Sequence, residues 1–216
     1  MHANKPELHT NNVCYAPITL IHIGKCGGSS VRSALTSAGV PFDCIHITPA
    51  IYEKGHRYVI LIRNPIARFV SAFNWRRKLV CDDRTQQHRF PGEYELLQQY
   101  TTIEAFAMHI TEFDSTKHYI HHINEDIHFY LGEFLKKCDP KEITAVLTTE
   151  TLADDMKRVF DIITLPHEKE NKTYDVLFST DTYSKLKHYL HKDYACIEKL
   201  NQHGLLSPEQ YKALSN

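Results

Sequence analysis

Residues 18–35 read ITLIHIGKCGGSSVRSAL. The apolar, β-branched run Ile18-Thr19-Leu20-Ile21-His22-Ile23 predicts a short buried strand. It breaks at Gly24-Lys25-Cys26-Gly27-Gly28 and resumes as Ser29-Ser30-Val31-Arg32-Ser33-Ala34-Leu35, where Val31, Ala34, Leu35 and Ala38 recur at helical spacing. Strand, glycine-rich turn and helix N-terminus form the local geometry that holds a phosphate. Glycines let the backbone approach the anion, the N–H groups of the first helical turn point at it, and the helix dipole favours negative charge. Ser29 and Ser30 add hydroxyl donors, and Lys25 adds a cation. An ordinary strand-turn-helix with glycines for packing is the plainer reading of the same residues.

The pattern G-x-x-x-x-G-K-[ST] is not met, because the lysine precedes the paired glycines instead of following them. His22-Ile23-Gly24-Lys25-Cys26-Gly27-Gly28-Ser29-Ser30 resembles instead the 5′-phosphosulfate loop of sulfotransferases, H-I-P-K-T-G-G-T-S. Gly24 stands where the proline is usual and Cys26 where the threonine is usual. The first change loosens the turn, and the second removes a hydroxyl donor.

Arg57-Tyr58-Val59-Ile60-Leu61-Ile62 and Arg63-Asn64-Pro65-Ile66-Ala67-Arg68-Phe69-Val70-Ser71 form the second informative stretch. The apolar run predicts a buried parallel strand. Pro65 suits a first helical turn, and Ile66, Phe69, Val70 and Phe73 give that helix an apolar face. Arg63 then sits at the carboxyl end of a strand, where α/β sheets bind ligands. The segment resembles the sulfotransferase 3′-phosphate motif R-[DN]-P-x-x-R-x-x-S. Two such motifs in the right order identify a resemblance to the sulfotransferases that use 3′-phosphoadenosine 5′-phosphosulfate (PAPS), in particular those that modify carbohydrate hydroxyls.

That resemblance implies a single α/β domain, a P-loop NTPase-like sulfotransferase fold with a central, mostly parallel sheet flanked by helices. It covers residues 18–216, with residues 1–17 as a flexible lead-in. It also implies PAPS as cosubstrate, held by Lys25, Cys26, Gly27, Gly28, Ser29 and Ser30 at the 5′ end and by Arg63 and Ser71 at the 3′-phosphate. Asn171-Lys172-Thr173 resembles the family's N-[KR]-S loop that closes over the cofactor, and Asp193-Tyr194 its terminal aspartate-tyrosine pair. Lys25 and His46 are the implied catalytic pair, cation and general base. Glu53 and His56 are alternatives to His46, and His22 reads as support for the loop. The acceptor is a glycan by resemblance, with a lipid-linked glycan, a small metabolite or a protein tyrosine behind it.

Composition bounds the rest. A chain of 216 residues with 42% hydrophobic and 24% charged content fits one core and a soluble globular class. No run reaches the ~18 apolar residues needed to span a bilayer, and the polar start MHANKPELHTNNVCYAP has no signal-peptide core. A cytoplasmic location is the resulting expectation. Cysteines 14, 26, 44, 81, 138 and 196 lack paired spacing and read as mostly free, buried thiols. Net charge of −1 argues against a general nucleic-acid binder. Between residues 57 and 89, however, eight arginines and lysines face two aspartates, either a solvated basic face or a surface for an anion.

Further elements follow from pattern. Short strands are expected at Asp43–Ile47 and Ile143–Leu147, and a brief helix from Thr48 to Glu53. A capping box at Thr101-Thr102-Ile103-Glu104 opens a helix to Ile110. Continuous helices are expected over Lys117–Cys138 and Thr182–Leu200, another from Glu150, whose acidic first turn suits the dipole, and a last one after Pro208. His118, His121, His122 and His128 share helical faces and invite a metal reading. That reading is set aside, because no carboxylate-histidine motif completes the set. Two competing functions remain: a P-loop-type kinase or other phosphoryl transferase, which needs an acidic magnesium ligand at a strand end, and a catalytically inactive nucleotide-binding relative.

Overall fold

Four parallel strands run in the order β2-β1-β3-β4: β1 (Ile18–His22), β2 (Phe42–Ile45), β3 (Tyr58–Ile62) and β4 (Ile143–Thr148). The computed structural model describes residues 17–113, 119–166 and 176–215. Every residue of β1 and β3 is buried, as expected of central strands covered on both faces. Edge strand β2 is only partly covered. Leu20 pairs with Cys44 on one side and Val59 on the other, and Ile62 with Thr148.

The chain leaves β1 for one neighbour and later adds β3 on the opposite side. The carboxyl ends of β1 and β3 therefore flank the point where strand order reverses, the usual ligand crevice of an open parallel sheet. Helix α1 (Gly28–Ser37) follows β1, and α2 (Pro65–Arg77) follows β3. A π-helical turn, Lys78–Asp82, then leads to α3 (Glu93–Gln99) and α4 (Ile103–Met108). Next come α5 (Ile127–Leu131), α6 (Phe134–Lys137), β4, α7 (Leu152–Phe160), α8 (Thr180–Tyr189), α9 (His191–Gln202) and α10 (Pro208–Ser215). One apolar core surrounds the sheet, with Leu35, Tyr130, Phe134 and Met156 packed on Leu20 and Leu61. A second joins α2 to α4 and α8 through Phe69, Phe73, Phe106 and Leu186. The single-domain α/β architecture with a parallel sheet is thus as expected. The five cysteines among the described residues are free, four of them buried.

Four local expectations are corrected. Residues 119–126 form turns instead of the start of a long helix, because side chains there take the backbone donors a helix would use. Asn124 Oδ1 accepts from Ile120 N at 2.6 Å, Glu125 Oε2 from His122 N at 3.4 Å, and Asp126 Oδ1 from Phe129 N at 2.7 Å. No helix forms between Thr48 and Glu53, where backbone N–H groups go to distant partners: Ala50 to the Tyr130 carbonyl and Glu53 to the Tyr58 hydroxyl. The cap of α4 is Thr102, accepting from Ala105 N at 3.2 Å. Glu104 instead reaches Thr182 Oγ1 at 2.6 Å, tying α4 to α8. Finally, the 182–200 helix is interrupted at Leu190, giving α8 and α9.

Candidate active site

The β1 loop is built around two rings that glycines make room for. A Cβ on Gly28 would lie 1.9 Å from Cδ2 and Nε2 of His22, and one on Gly24 would lie 2.5 Å from His122 Nδ1. Both positions exclude a side chain for that reason. Lys25 (φ 70°) and Gly27 (φ 84°) turn the chain through left-handed conformations, so that α1 begins at Gly28. Gly27 and Ser29 are exposed, Ser30 is half-buried and Gly28 is buried beneath them. The start of α1 is thus open to solvent at Gly27 and Ser29. The Cys26 side chain instead enters the core. Burial pushes its thiol up to about 12, so any contribution from this position is confined to its backbone.

Neighbouring strand tips hold the loop in place. Arg63, at the end of β3, donates from Nη1 to the Lys25 carbonyl at 3.4 Å. Thr149, just past β4, donates from Oγ1 to the carbonyls of Cys26 (2.9 Å) and Ile62 (3.3 Å). Asn64 caps α2 through Ala67 N at 3.0 Å, and its Nδ2 holds the carbonyls of Ala213 and Leu214 at 3.2 Å, anchoring α10. The Lys25 ammonium lies 4.5 Å over the Trp75 ring, at the far end of α2.

Sequence reasoning assigned no role to Arg68. It is 1% exposed, and its guanidinium donates to three carbonyls: Gly24 at 3.0 Å, His122 at 2.7 Å, and Glu125. Its place in R-N-P-x-x-R-x-x-S was the available signal, since an invariably charged group inside an apolar helix face needs buried acceptors. Ser71 is buried one turn further on in α2.

His46 follows β2 and stacks on His22, with ring centroids 4.1 Å apart at 7°. Its Nδ1 lies 2.9 Å from the His22 carbonyl. A carbonyl only accepts, so Nδ1 carries the hydrogen; in the neutral ring the lone pair is then on Nε2, the tautomer a general base requires. Burial and then His46 lower the His22 pKa to about 3, leaving it a neutral packing partner. Ile47, the next residue, has φ 74°, a strained conformation for a β-branched side chain. Glu53 and His56 pair with each other on the surface at 3.3 Å. Asn171, Lys172 and Thr173 lie outside the described residues.

On the other side of α1's N-terminus, a cleft of about 480 Å³ is lined by Ser30, Thr149, Glu150, Thr151, Leu152 and Leu165 among others. Glu150, exposed at the rim of this cleft, accepts from Asn64 N at 2.9 Å, and partial desolvation of its carboxylate raises its pKa. The buried Asp193 carboxylate accepts from His128 N at 2.8 Å. Burial and then the neighbouring Asp126 raise it well above the ordinary carboxylate range. The histidine reading needs one correction: Glu125 does complete a set with His121 and His122, their ligand atoms all within 4.8 Å of one another.

A parallel sheet with a glycine-rich turn into a helix at one strand tip and an arginine at the next defines an α/β protein of P-loop-like architecture. A model of the sulfotransferase family matches residues 46–203, and the chain belongs to that family of transferases. The match begins at His46, so the β1 loop stands on its own residues and geometry. Neither the curated proteins nor the solved structures contain a match. Among the described residues no helix is long and apolar enough to cross a membrane.

Proposed function

We propose that this protein transfers a sulfuryl group from PAPS to a hydroxyl of a carbohydrate. The observation that carries the reading is the meeting of the two strand tips, with the Arg63 guanidinium on the carbonyl of Lys25 itself. One nucleotide bearing phosphates at its 3′ and 5′ ends fits such a pair of neighbouring cationic sites. The N–H groups of Gly27, Gly28, Ser29 and Ser30 and the two serine hydroxyls would hold the 5′-phosphosulfate. Arg63 offers a planar fork to the 3′-phosphate, with the Ser71 hydroxyl on a remaining oxygen.

In the reaction the acceptor oxygen attacks sulfur in line. A new O–S bond forms as the bond from sulfur to the bridging phosphate oxygen breaks, and adenosine 3′,5′-bisphosphate departs. The demands are those of phosphoryl transfer, position and electrostatics. Lys25 neutralises charge on the departing oxygen, for which its ammonium must leave the Trp75 face. His46 Nε2 takes the proton of the acceptor hydroxyl. By the resemblance, Asn171, Lys172 and Thr173 would also contact the nucleotide.

The test is transfer of labelled sulfate from PAPS across a panel of glycans, with Lys25→Ala as the blank. Lys25→Ala should lower turnover by a factor on the order of 10² or more, with adenosine 3′,5′-bisphosphate affinity reduced less. Tight magnesium-independent binding of that bisphosphate without transfer to any glycan would favour the inactive relative. Magnesium-dependent ATP binding in its place would favour a kinase.

A further inference from the structure

We propose that His121, His122 and Glu125 form a binding site for one divalent first-row transition-metal ion of the zinc class, fastened directly behind the β1 loop. Glu125 Oε2 lies 2.8 Å from His121 Nδ1 and 3.7 Å from His122 Nδ1. Ligand atoms of a tetrahedral ion with bonds of about 2.05 Å stand roughly 3.3 Å apart, between those two distances. The residues are 6%, 8% and 4% exposed. Both Nδ1 atoms are shut off from solvent; His122 Nδ1 has no hydrogen-bond partner, and His121 Nδ1 has only the Glu125 carboxylate against it. In the tautomer with Nδ1 unprotonated on both rings, two imidazole lone pairs stand beside the carboxylate oxygen, where one shared electrophile would satisfy all three.

The surroundings complete the arrangement. Tyr119 donates to Glu125 Oε1 at 2.5 Å, holding the carboxylate from outside. The two imidazoles overlap at 3.9 Å, and the His121 ring stacks on Phe90 at 4.8 Å. The guanidinium of Arg68 beside the site is directed at the carbonyls of Gly24, His122 and Glu125. Two imidazoles with one carboxylate select zinc, cobalt, iron or nickel over magnesium or calcium, which prefer all-oxygen shells. Three protein ligands leave a fourth position for water. Since the His122 ring fills the space over Gly24, an ion here would fix the ring that backs the loop.

The test uses the full-length chain, stripped with a chelator, with no nucleotide present, so its outcome is independent of the donor and acceptor reading. One equivalent of Co²⁺ should bind and give the intense visible bands of four-coordinate cobalt, and Zn²⁺ should displace it. Zn²⁺ at a 100-fold excess over its Kd should raise Tm by roughly 5 °C or more. Glu125→Gln and His122→Asn should each weaken binding at least about 100-fold. Tyr119→Phe should weaken it less, and the exposed pair His188→Gln/His191→Gln should leave it unchanged. Circular dichroism of the metal-free variants separates loss of the site from loss of the fold. A weak octahedral cobalt spectrum, an unchanged Tm, or equal affinity in wild type and folded Glu125→Gln would overturn the proposal.

Discussion

Replacing Gly28 with alanine should destabilise the protein, and the same replacement should become harmless once His22 is removed. The methyl carbon would stand 1.9 Å from two atoms of the His22 ring and 2.4 Å from a third, where ordinary contact needs about 3.5 Å or more. The ring cannot swing aside, because His22 is 7% exposed and pressed against His46 at 4.1 Å. Overpacking of this kind costs about 1–3 kcal/mol. In a His22→Ala background the space is open. Alanine then gains up to about 1 kcal/mol over glycine through its helical preference. The sign of the effect should therefore reverse, with a coupling between the two sites of about 2–4 kcal/mol.

Urea melts of the four proteins at pH 8 measure this cycle. At that pH His22 is neutral both folded, where its pKa is lowered to about 3, and unfolded, so no charge term enters. Gly28→Ala also presses the His22 ring against His46, on which it stacks, so turnover should fall along with stability. A cost for Gly28→Ala that agrees within about 0.5 kcal/mol in the two backgrounds would refute the claim that His22 dictates the glycine.

Arg68→Met should cost about 3–5 kcal/mol, since three buried carbonyls lose a charged donor together; a thermal melt showing less than about 1 kcal/mol would count against the clamp. For Asp193, folding raises the carboxyl pKa, so the folded state holds its proton more tightly than the unfolded chain does. Its favourable contribution is complete below about pH 4 and is lost as pH rises toward the folded value. Asp193→Asn keeps an acceptor for His128 N and removes that loss. The variant should gain on wild type as pH rises from about 4 to 8, and parallel stability curves over that range would exclude the effect.

What was readable from sequence and what was not divides along physical lines. Strands β1, β3 and β4 are continuous apolar runs set between turns, and burial on both faces leaves such a run few alternatives. The glycine-rich turn into α1 and the arginine at the tip of β3 were legible because both depend on local backbone geometry. The 117–138 segment misled because its apolar spacing is helical while Asn124, Glu125 and Asp126 capture the backbone donors from their side chains. Periodicity carries no record of such competition. Glu125 stands four residues after His121 and three after His122, so the sequence did carry the signal for this partner even though the segment turns left-handed at His122 (φ 67°) instead of continuing as a helix. The strain at Ile47 left no trace in the sequence at all.

Gly24 shows how far a local reading of the loop falls short. From sequence, glycine in place of the family's proline appears to give up rigidity. In the fold, any side chain at this position collides with His122, whose Nδ1 and Cε1 lie 2.5 and 2.9 Å from where a Cβ would be. A proline ring is therefore excluded as long as His122 occupies that place. The stiffness that proline would give through its fixed φ comes instead from Arg68, whose Nε holds the Gly24 carbonyl while Nη2 holds the His122 carbonyl. One buried guanidinium thus ties the loop to the very segment that fills the space above it. The residues at 24, 68 and 122 form a single unit, in which glycine is required by a neighbour nearly one hundred positions away and the turn is stiffened from outside its own sequence.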